Sequence, residues 1–297
     1  MNKWIKAFRL HTLPLAFSCT IIGTCLAAAD DRFRWPVFGL AALTTLLLQI
    51  MSNMANDYGD FVNGKDTTDR IGPKRMVQSG EIAPKTMLRG IIIIGVLCAV
   101  SGVSLILTGT EGMDIKNLLF FAGLGLAAIV AAIKYTNGKN PYGYRGLGDI
   151  FVFIFFGLVG VIGTYFLHTQ SFRWDLMLPA SALGLLSVGV LNMNNMRDYE
   201  TDKKAGKRTI VVAMGKTNAA YYHLFLVIVA SLMTIIYTLL NYVSPCQWLF
   251  LLSFPFLFLN LKKVFTYKES IELFPELGRL SMATFIFSLT FGIGLIL

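Results

Sequence analysis

Charge is scarce in this chain. Only 14% of its 297 residues are Asp, Glu, Lys or Arg, against about a quarter in an average soluble domain. With 55% hydrophobic residues and a mean hydropathy of +0.62, the composition excludes an ordinary water-soluble domain and points to the bilayer as solvent. Histidine is scarcer still. His11, His168 and His223 are the three present, and no two have ligand spacing, so neither a zinc site nor a Ser/His/Asp or Cys/His nucleophile is indicated. The four cysteines, Cys19, Cys25, Cys98 and Cys246, are scattered through apolar segments without paired spacing. That pattern argues against a disulfide framework and reads as small buried hydrophobes. The first apolar stretch lacks a small-x-small cleavage site and many more follow it, so it reads as a membrane span and not as a cleaved leader.

Long apolar runs are what the chain has instead. Nine segments can cross a bilayer, at roughly 13–29, 36–55, 88–108, 117–134, 149–168, 177–196, 218–240, 247–266 and 279–297. They predict an all-α, polytopic membrane protein of nine transmembrane helices forming a single domain over 1–297. With the N-terminus cytoplasmic, 22 of the 26 Lys and Arg fall on the cytoplasmic side, and only Arg32, Arg34, Lys116 and Arg173 fall outside. A bias of that size fixes the expected orientation. The expected location is the inner (cytoplasmic) membrane, multi-pass, with the lipid bilayer as partner. Topology accounts for most of the formal charge of +9, so no nucleic-acid partner is needed.

The acids break the pattern. Twelve of seventeen also fall on the cytoplasmic side, and seven of those crowd into 57–69 and 198–202. Each cluster follows directly on an apolar span, the second and the sixth. These spans are four apart, which suggests a duplicated unit, spans 1–4 and 5–8, plus a ninth.

The first cluster reads NDYGDFVNGKDTTDR (56–70) and the second NNMRDYETDKKAGKRT (194–209). Asn56 and Asp60 are i, i+4; Asn194, Asp198 and Asp202 are i, i+4, i+8. On helices each set shares a face. Like charges on one face repel unless a cation joins them, and carboxylate and amide oxygens suit Mg²⁺, which also shares its shell with phosphates. The adjoining loops carry Arg70, Lys74 and Arg75, then Lys203, Lys204, Lys207 and Arg208, with Lys139 and Arg145 in a short central loop. Acid for a metal and base for a phosphate, on a membrane bundle, suggest a lipid diphosphate substrate. Basic loops are commonly only topology or headgroup contact. Two Asn/Asp rows of matching spacing at the same side are much harder to dismiss.

These two motifs resemble those of the UbiA superfamily of intramembrane prenyltransferases, and the likeness covers nearly the whole chain. FRLHTLP (8–14) is similar to that family's Arg-x-x-Thr-x-Pro-like signature. GKDTTDRIGPKRMVQSGEI (64–82) and YTNGKNPYGYRGLGDIFVFIFFG (135–157) look like the branch that prenylates 1,4-dihydroxy-2-naphthoate. The resemblance implies Mg²⁺-dependent transfer from a polyprenyl diphosphate to 1,4-dihydroxy-2-naphthoate, with loss of CO₂ and diphosphate, in menaquinone biosynthesis. It implies two Mg²⁺ ions, one on Asn56 and Asp60 with Asp57 and Asp66 as neighbours or second ligands, the other on Asp198 and Asp202. Asp66 stands later than the superfamily's spacing often has it, after Gly64. Arg70, Lys74, Lys139 and Lys207 would grip the diphosphate. Arg9, Arg145 and Asn194 would receive the acceptor.

Asp60, Asp198, Asp202 and Tyr135 are the expected catalytic set. Tyr58, Tyr135, Tyr142 and Tyr144 are candidate aromatic faces for an allylic cation, although a buried aromatic in a membrane protein is more often packing. Asp149, opening span 5, reads as a helix-terminus acid before a catalytic one. A prenyltransferase acting on another aromatic acceptor such as 4-hydroxybenzoate is the alternative. A CDP-alcohol phosphotransferase would need one continuous Asp motif. A cation transporter would need ionisable groups at the midplane of several spans, and spans 1, 3, 4, 5, 7 and 9 show almost none.

Overall fold

The structure is a computed structural model describing residues 2–65, 72 and 75–297. Among the described residues, nine helices are long and apolar enough to cross a membrane. They are α1 (Lys3–Ala29), α2 (Trp35–Val62), α3 (Pro84–Gly109), α4 (Ile115–Lys134), α5 (Gly148–Thr169), α6 (Trp174–Arg197), α7 (Ile210–Leu240), α8 (Pro245–Thr266) and α9 (Ser270–Ile296). Proline opens several of them: Pro36, Pro84 and Pro245 sit in first turns, where the missing N–H has no intrahelical partner to lose.

The expected spans hold, but several helices run further than their apolar cores. α2 continues to Val62 and keeps Asn56 and Asp60 helical. α1 starts at Lys3 and is broken at Arg9, which adopts φ 51°, ψ 59° in the left-handed region. α5 widens into a π-helical stretch over Phe153–Ile162. α7 starts at Ile210 and bends at Gly215, where φ is 82°.

Burial divides the bundle. In the most apolar stretch of α6 78% of residues are buried, but in that of α4 only 11%, so α6 is the central post and α4 a lipid-facing wall. The larger core joins α1, α6, α7 and α9 through Leu26, Leu183, Val227 and Phe287. A smaller one joins α2, α3 and the 75–82 segment through Met51, Met54, Met76 and Met87. α3 turns Ile93, Val96, Val100 and Val103 outward, as hydrocarbon solvent permits. Trp35 and Trp174, 73% and 80% exposed, mark the end remote from the acidic clusters, where aromatic rings suit the membrane interface. At that end Arg173 ties Asp30, just past α1, to Asp175 of α6. His168 accepts from the Arg34 backbone N–H and sits beside Thr24, a packing role.

Close helix approach depends on small residues. A Cβ on Gly157 of α5 would lie 2.6 Å from the Ala180 carbonyl and 2.8 Å from Gly184 Cα of α6. Gly157→Ala is therefore expected to destabilise by about 1–3 kcal/mol, read as an earlier thermal unfolding in detergent. Gly123→Ala, into open space, is expected to leave the melt unchanged or raised.

Candidate active site

The polar segments past α2 and α6 gather at one end of the bundle, over a cavity of about 420 Å³. Asn56, Asp60, Asn194, Asp198, Asp202 and Lys207 line its polar mouth. Leu105, Phe121, Leu124, Phe155, Val159 and Leu167 line its apolar depth, which reaches toward the far end of α5. One chamber thus offers an ionic head region and a long greasy body.

α2 builds the first half of the head. Asn53 donates to the Phe8 carbonyl at 2.9 Å and to Thr12 Oγ1 at 2.8 Å, so it holds the break in α1 and with it Arg9 and His11 at the cavity wall. A non-glycine residue in the left-handed region costs about 1–3 kcal/mol, and Asn53 is part of what over-determines it. Asn56 accepts from Thr136 Oγ1 at 3.2 Å. Gly59 lets the central loop close on α2, because a Cβ there would meet Thr136 Oγ1 at 2.6 Å. Asp60 receives Arg75 Nη2 and the Tyr144 hydroxyl, each at 2.6 Å, with Lys207 Nζ at 3.4 Å.

α6 builds the other half. Its axis breaks at Asp198 (φ −90°, ψ 7°), and a short helix, Tyr199–Lys204, follows. The Asp202 N–H still donates to the Asp198 carbonyl at 2.8 Å, so Asn194, Asp198 and Asp202 all reach the cavity. Arg197, 1% exposed, holds Asp198 with two bonds of 2.7 and 2.6 Å and donates to Asn194 Oδ1 at 2.9 Å. Lys207 Nζ stands 3.3 Å from Asp202. A single ammonium therefore spans Asp60 of the first cluster and Asp202 of the second, with the Tyr144 ring 5.1 Å away. Burial pushes the Asp202 carboxyl above its ordinary value, Lys207 pulls against that, and Asp198 adds to the push. Burial, reinforced by Tyr142 and Asp149, also pushes the Tyr135 hydroxyl up, so that ring lines the chamber as a neutral phenol.

Three expectations change. Asp57 does not face the cavity: its two oxygens accept the Met76 and Val77 backbone N–H groups at 2.8 and 3.2 Å, so it anchors the 75–82 segment that delivers Arg75. Lys139 and Arg145 are exposed and off the cavity wall, because the Tyr142–Arg145 turn aims Tyr144 inward instead. Asp66, Arg70 and Lys74 lie outside the described residues. Asp149 is buried and accepts from the Tyr222 hydroxyl at 3.0 Å, tying α5 to α7 away from the chamber. Arg197 had no assigned role; its one signal was a cation directly before the first aspartate of the second motif.

The donors are all oxygen, which suits a hard cation. Among the described residues, no three His, Cys, Asp or Glu stand close enough to hold a metal by themselves. Mg²⁺ tolerates this, since it keeps waters and takes phosphate oxygens beside one or two carboxylates.

A helical membrane bundle with an acid-and-base head above an apolar chamber is an intramembrane protein for long-chain amphiphiles with ionic heads. Residues 16–272 match the UbiA prenyltransferase family, and the chain belongs to it. It is 42% identical to a 1,4-dihydroxy-2-naphthoate octaprenyltransferase of Haemophilus influenzae, over 100% of this chain and 96% of the relative. It is 41% identical to the enzyme of that name from Escherichia coli, over 100% and 96%. The fold matches a UbiA homolog from Archaeoglobus fulgidus bound to DMAPP and Mg²⁺, at TM-score 0.65 and 14% identity over 99% of both chains. It also matches an apo UbiA homolog from Aeropyrum pernix, at TM-score 0.66 and 16% identity over 99% of this chain and 96% of that one.

Because Asp57 anchors this segment, Asp57→Asn should cost about 1.5–3 kcal/mol, the range for hydrogen bonds to a charged group. It should also speed limited proteolysis within the 75–82 segment, measured against the parent protein.

Proposed function

We propose that the chain transfers a polyprenyl group from polyprenyl diphosphate to 1,4-dihydroxy-2-naphthoate, releasing diphosphate and CO₂ and giving the demethylmenaquinone skeleton. One observation carries the reaction class: Asp60 and Asp202 meet across Lys207 at the mouth of an apolar chamber. The acceptor rests on the full-length likeness to relatives bearing that name.

Asn56 and Asp60 on one side, and Asp198 and Asp202 on the other, would hold Mg²⁺, two ions in all. Bound there, Mg²⁺ supplies Lewis-acid neutralisation of the leaving diphosphate. Lys207 and Arg75 add positive charge where charge develops; Arg70 and Lys74, outside the described residues, are assigned to the same diphosphate by the family resemblance alone. The prenyl chain lies along Leu124, Phe155 and Val159. As the C–O bond breaks, the Tyr135 and Tyr144 rings face the allylic cation, and the dry chamber keeps water from it. The acceptor ring attacks through the carbon bearing its carboxylate, and the electrons of the C–CO₂ bond return to the ring as CO₂ leaves. Arg9 pairs with that carboxylate, and Asn194 orients the ring.

The Lys/Arg bias supports a cytoplasmic N-terminus and a site facing the cytoplasm, in the inner membrane. The duplicated four-helix unit is supported by packing: α2 lies along α3 as α6 lies along α7, each an extensive contact.

Purified protein given Mg²⁺, a polyprenyl diphosphate and dihydroxynaphthoate should release CO₂ and diphosphate in equal amounts, with the prenylated product seen by mass spectrometry. Preference for 4-hydroxybenzoate without CO₂ release would replace the acceptor; no turnover with any aromatic acceptor would sink the reading. Asp60→Ala and Asp202→Ala should each lower kcat by at least about 100-fold. Arg9→Gln should raise the KM for the acceptor by about tenfold or more, the loss of one charge-assisted bond, and leave the KM for the diphosphate unchanged.

A further inference from the structure

A second cleft, of about 570 Å³, lies between the later half of α8 and the first half of α9. It shares no lining residue with the active-site chamber. Its two walls run in the same order. On α8, Lys263 and Lys262 sit near the loop to α9, and Leu259 and Phe256 lie deeper. On α9, Arg279 sits near that loop, and Met282 and Ile286 lie deeper. Lys263 to Phe256, like Arg279 to Ile286, spans seven residues, about 10 Å along a helix. The cleft is therefore cationic at its mouth and apolar about 10 Å further in.

The mouth is at the end of the bundle where the basic residues concentrate, and its charge is unbalanced. Lys263 pairs with Glu272 and Arg279 with Glu276, each at 2.5 Å. Lys262 is exposed and has no acidic partner among the described residues. Glu276 is itself buried and held by Asn260 Nδ2 at 3.3 Å, while the Arg279 side chain is 73% exposed and keeps further N–H donors outward. The apolar floor opens sideways: Phe256, Leu259 and Met282 are 49%, 64% and 46% exposed. A soluble anion would leave that floor uncovered, and a neutral lipid would leave Lys262 unanswered.

We propose that this cleft binds an anionic phospholipid, its phosphate held by Lys262, Lys263 and Arg279 and an acyl chain laid along the apolar floor. Charge complementarity at the mouth and the matched depth of the apolar walls carry the assignment. It does not depend on the reaction proposed above.

The test is photo-crosslinking of the full chain in phosphatidylcholine nanodiscs containing a minor fraction of phosphatidylglycerol with a diazirine in its acyl chain. Peptide mapping should place the label on the cleft walls of α8 and α9. Unlabelled phosphatidylglycerol should displace it; phosphatidylcholine and inorganic phosphate should not. Lys262→Glu should cut labelling by at least about fivefold, the weight of a basic side chain at an anionic surface. Ile286→Trp, which keeps every charge and fills the floor, should cut it comparably, with an unchanged thermal melt in detergent for both variants as the check of folding. Label spread evenly over the lipid-facing helices, equal labelling by a phosphatidylcholine probe, displacement by inorganic phosphate alone, or labelling unchanged in both variants would each overturn the proposal.

Discussion

Burying carboxylates beside one another at one end of a membrane bundle is the constraint that shapes the rest of the molecule. Asp57, Asp60, Asp149, Asp198 and Asp202 are all 8% exposed or less. Two unit charges 4 Å apart interact by about 4 kcal/mol at the effective dielectric of a protein surface, and an uncompensated buried charge costs several kcal/mol. Each acid accordingly has a fixed answer: backbone N–H groups for Asp57, Arg75 with Tyr144 and Lys207 for Asp60, Tyr222 for Asp149, Arg197 for Asp198, and Lys207 for Asp202. The head could not exist without those partners, and most of them come from outside the apolar spans.

The loops are therefore placed by the acids and not the reverse. The 75–82 segment is held by Asp57 so that Arg75 reaches Asp60. The central loop is welded to α2 through Thr136, Asn137 and Asn63, and it offers Tyr144 in two directions, the hydroxyl to Asp60 and the carbonyl to the Arg208 N–H. Gly146 and Gly206, at φ 76° and 69°, make the reversals that bring the central loop and the Lys207 segment together. A Cβ on Gly146 would lie 3.2 Å from the Arg208 carbonyl, so the contact between these two loops needs both the conformation and the missing side chain.

Periodicity made the spans and the two helix faces legible. Asn56 and Asp60 are separated by about 40° around a helix, and Asp57 lies about 100° from Asn56 at 3.6 residues per turn. That arithmetic already set Asp57 off the shared face; only the family resemblance made it a ligand neighbour. Helix ends were less legible, because α2 and α7 stay helical through charged or kinked stretches beyond their apolar runs. The central loop was the least legible. Lys139 and Arg145 looked right by charge, but which side chain faces inward there is decided by Gly143 packing on the Tyr135 carbonyl and by the turn at Gly146. Arg197 was hidden for a different reason: in the Lys/Arg tally it counted as one more cytoplasmic cation, and nothing in spacing reveals that a basic residue is 1% exposed.

The two kinds of cation in the head answer different demands. Arg197 is fully enclosed and bidentate on its neighbour, a geometry that fixes Asp198 in place. Lys207 holds Asp60 and Asp202 at 3.4 and 3.3 Å, distances of a point charge resting between them on a flexible four-carbon stem. On the proposed function, Asp60 and Asp202 would hold Mg²⁺ with the diphosphate, and the Lys207 ammonium would be free to turn to phosphate without leaving its place. The ammonium keeps the two acids from repelling one another, and on that proposal the same charge would serve the leaving group afterwards. An arginine at this position would hold one carboxylate too well to be shared. Lys207 thus couples the stability of the head to its chemistry, and the short link from Asp202 to Lys207 through the turn at Gly206 is what keeps that charge within reach of both clusters.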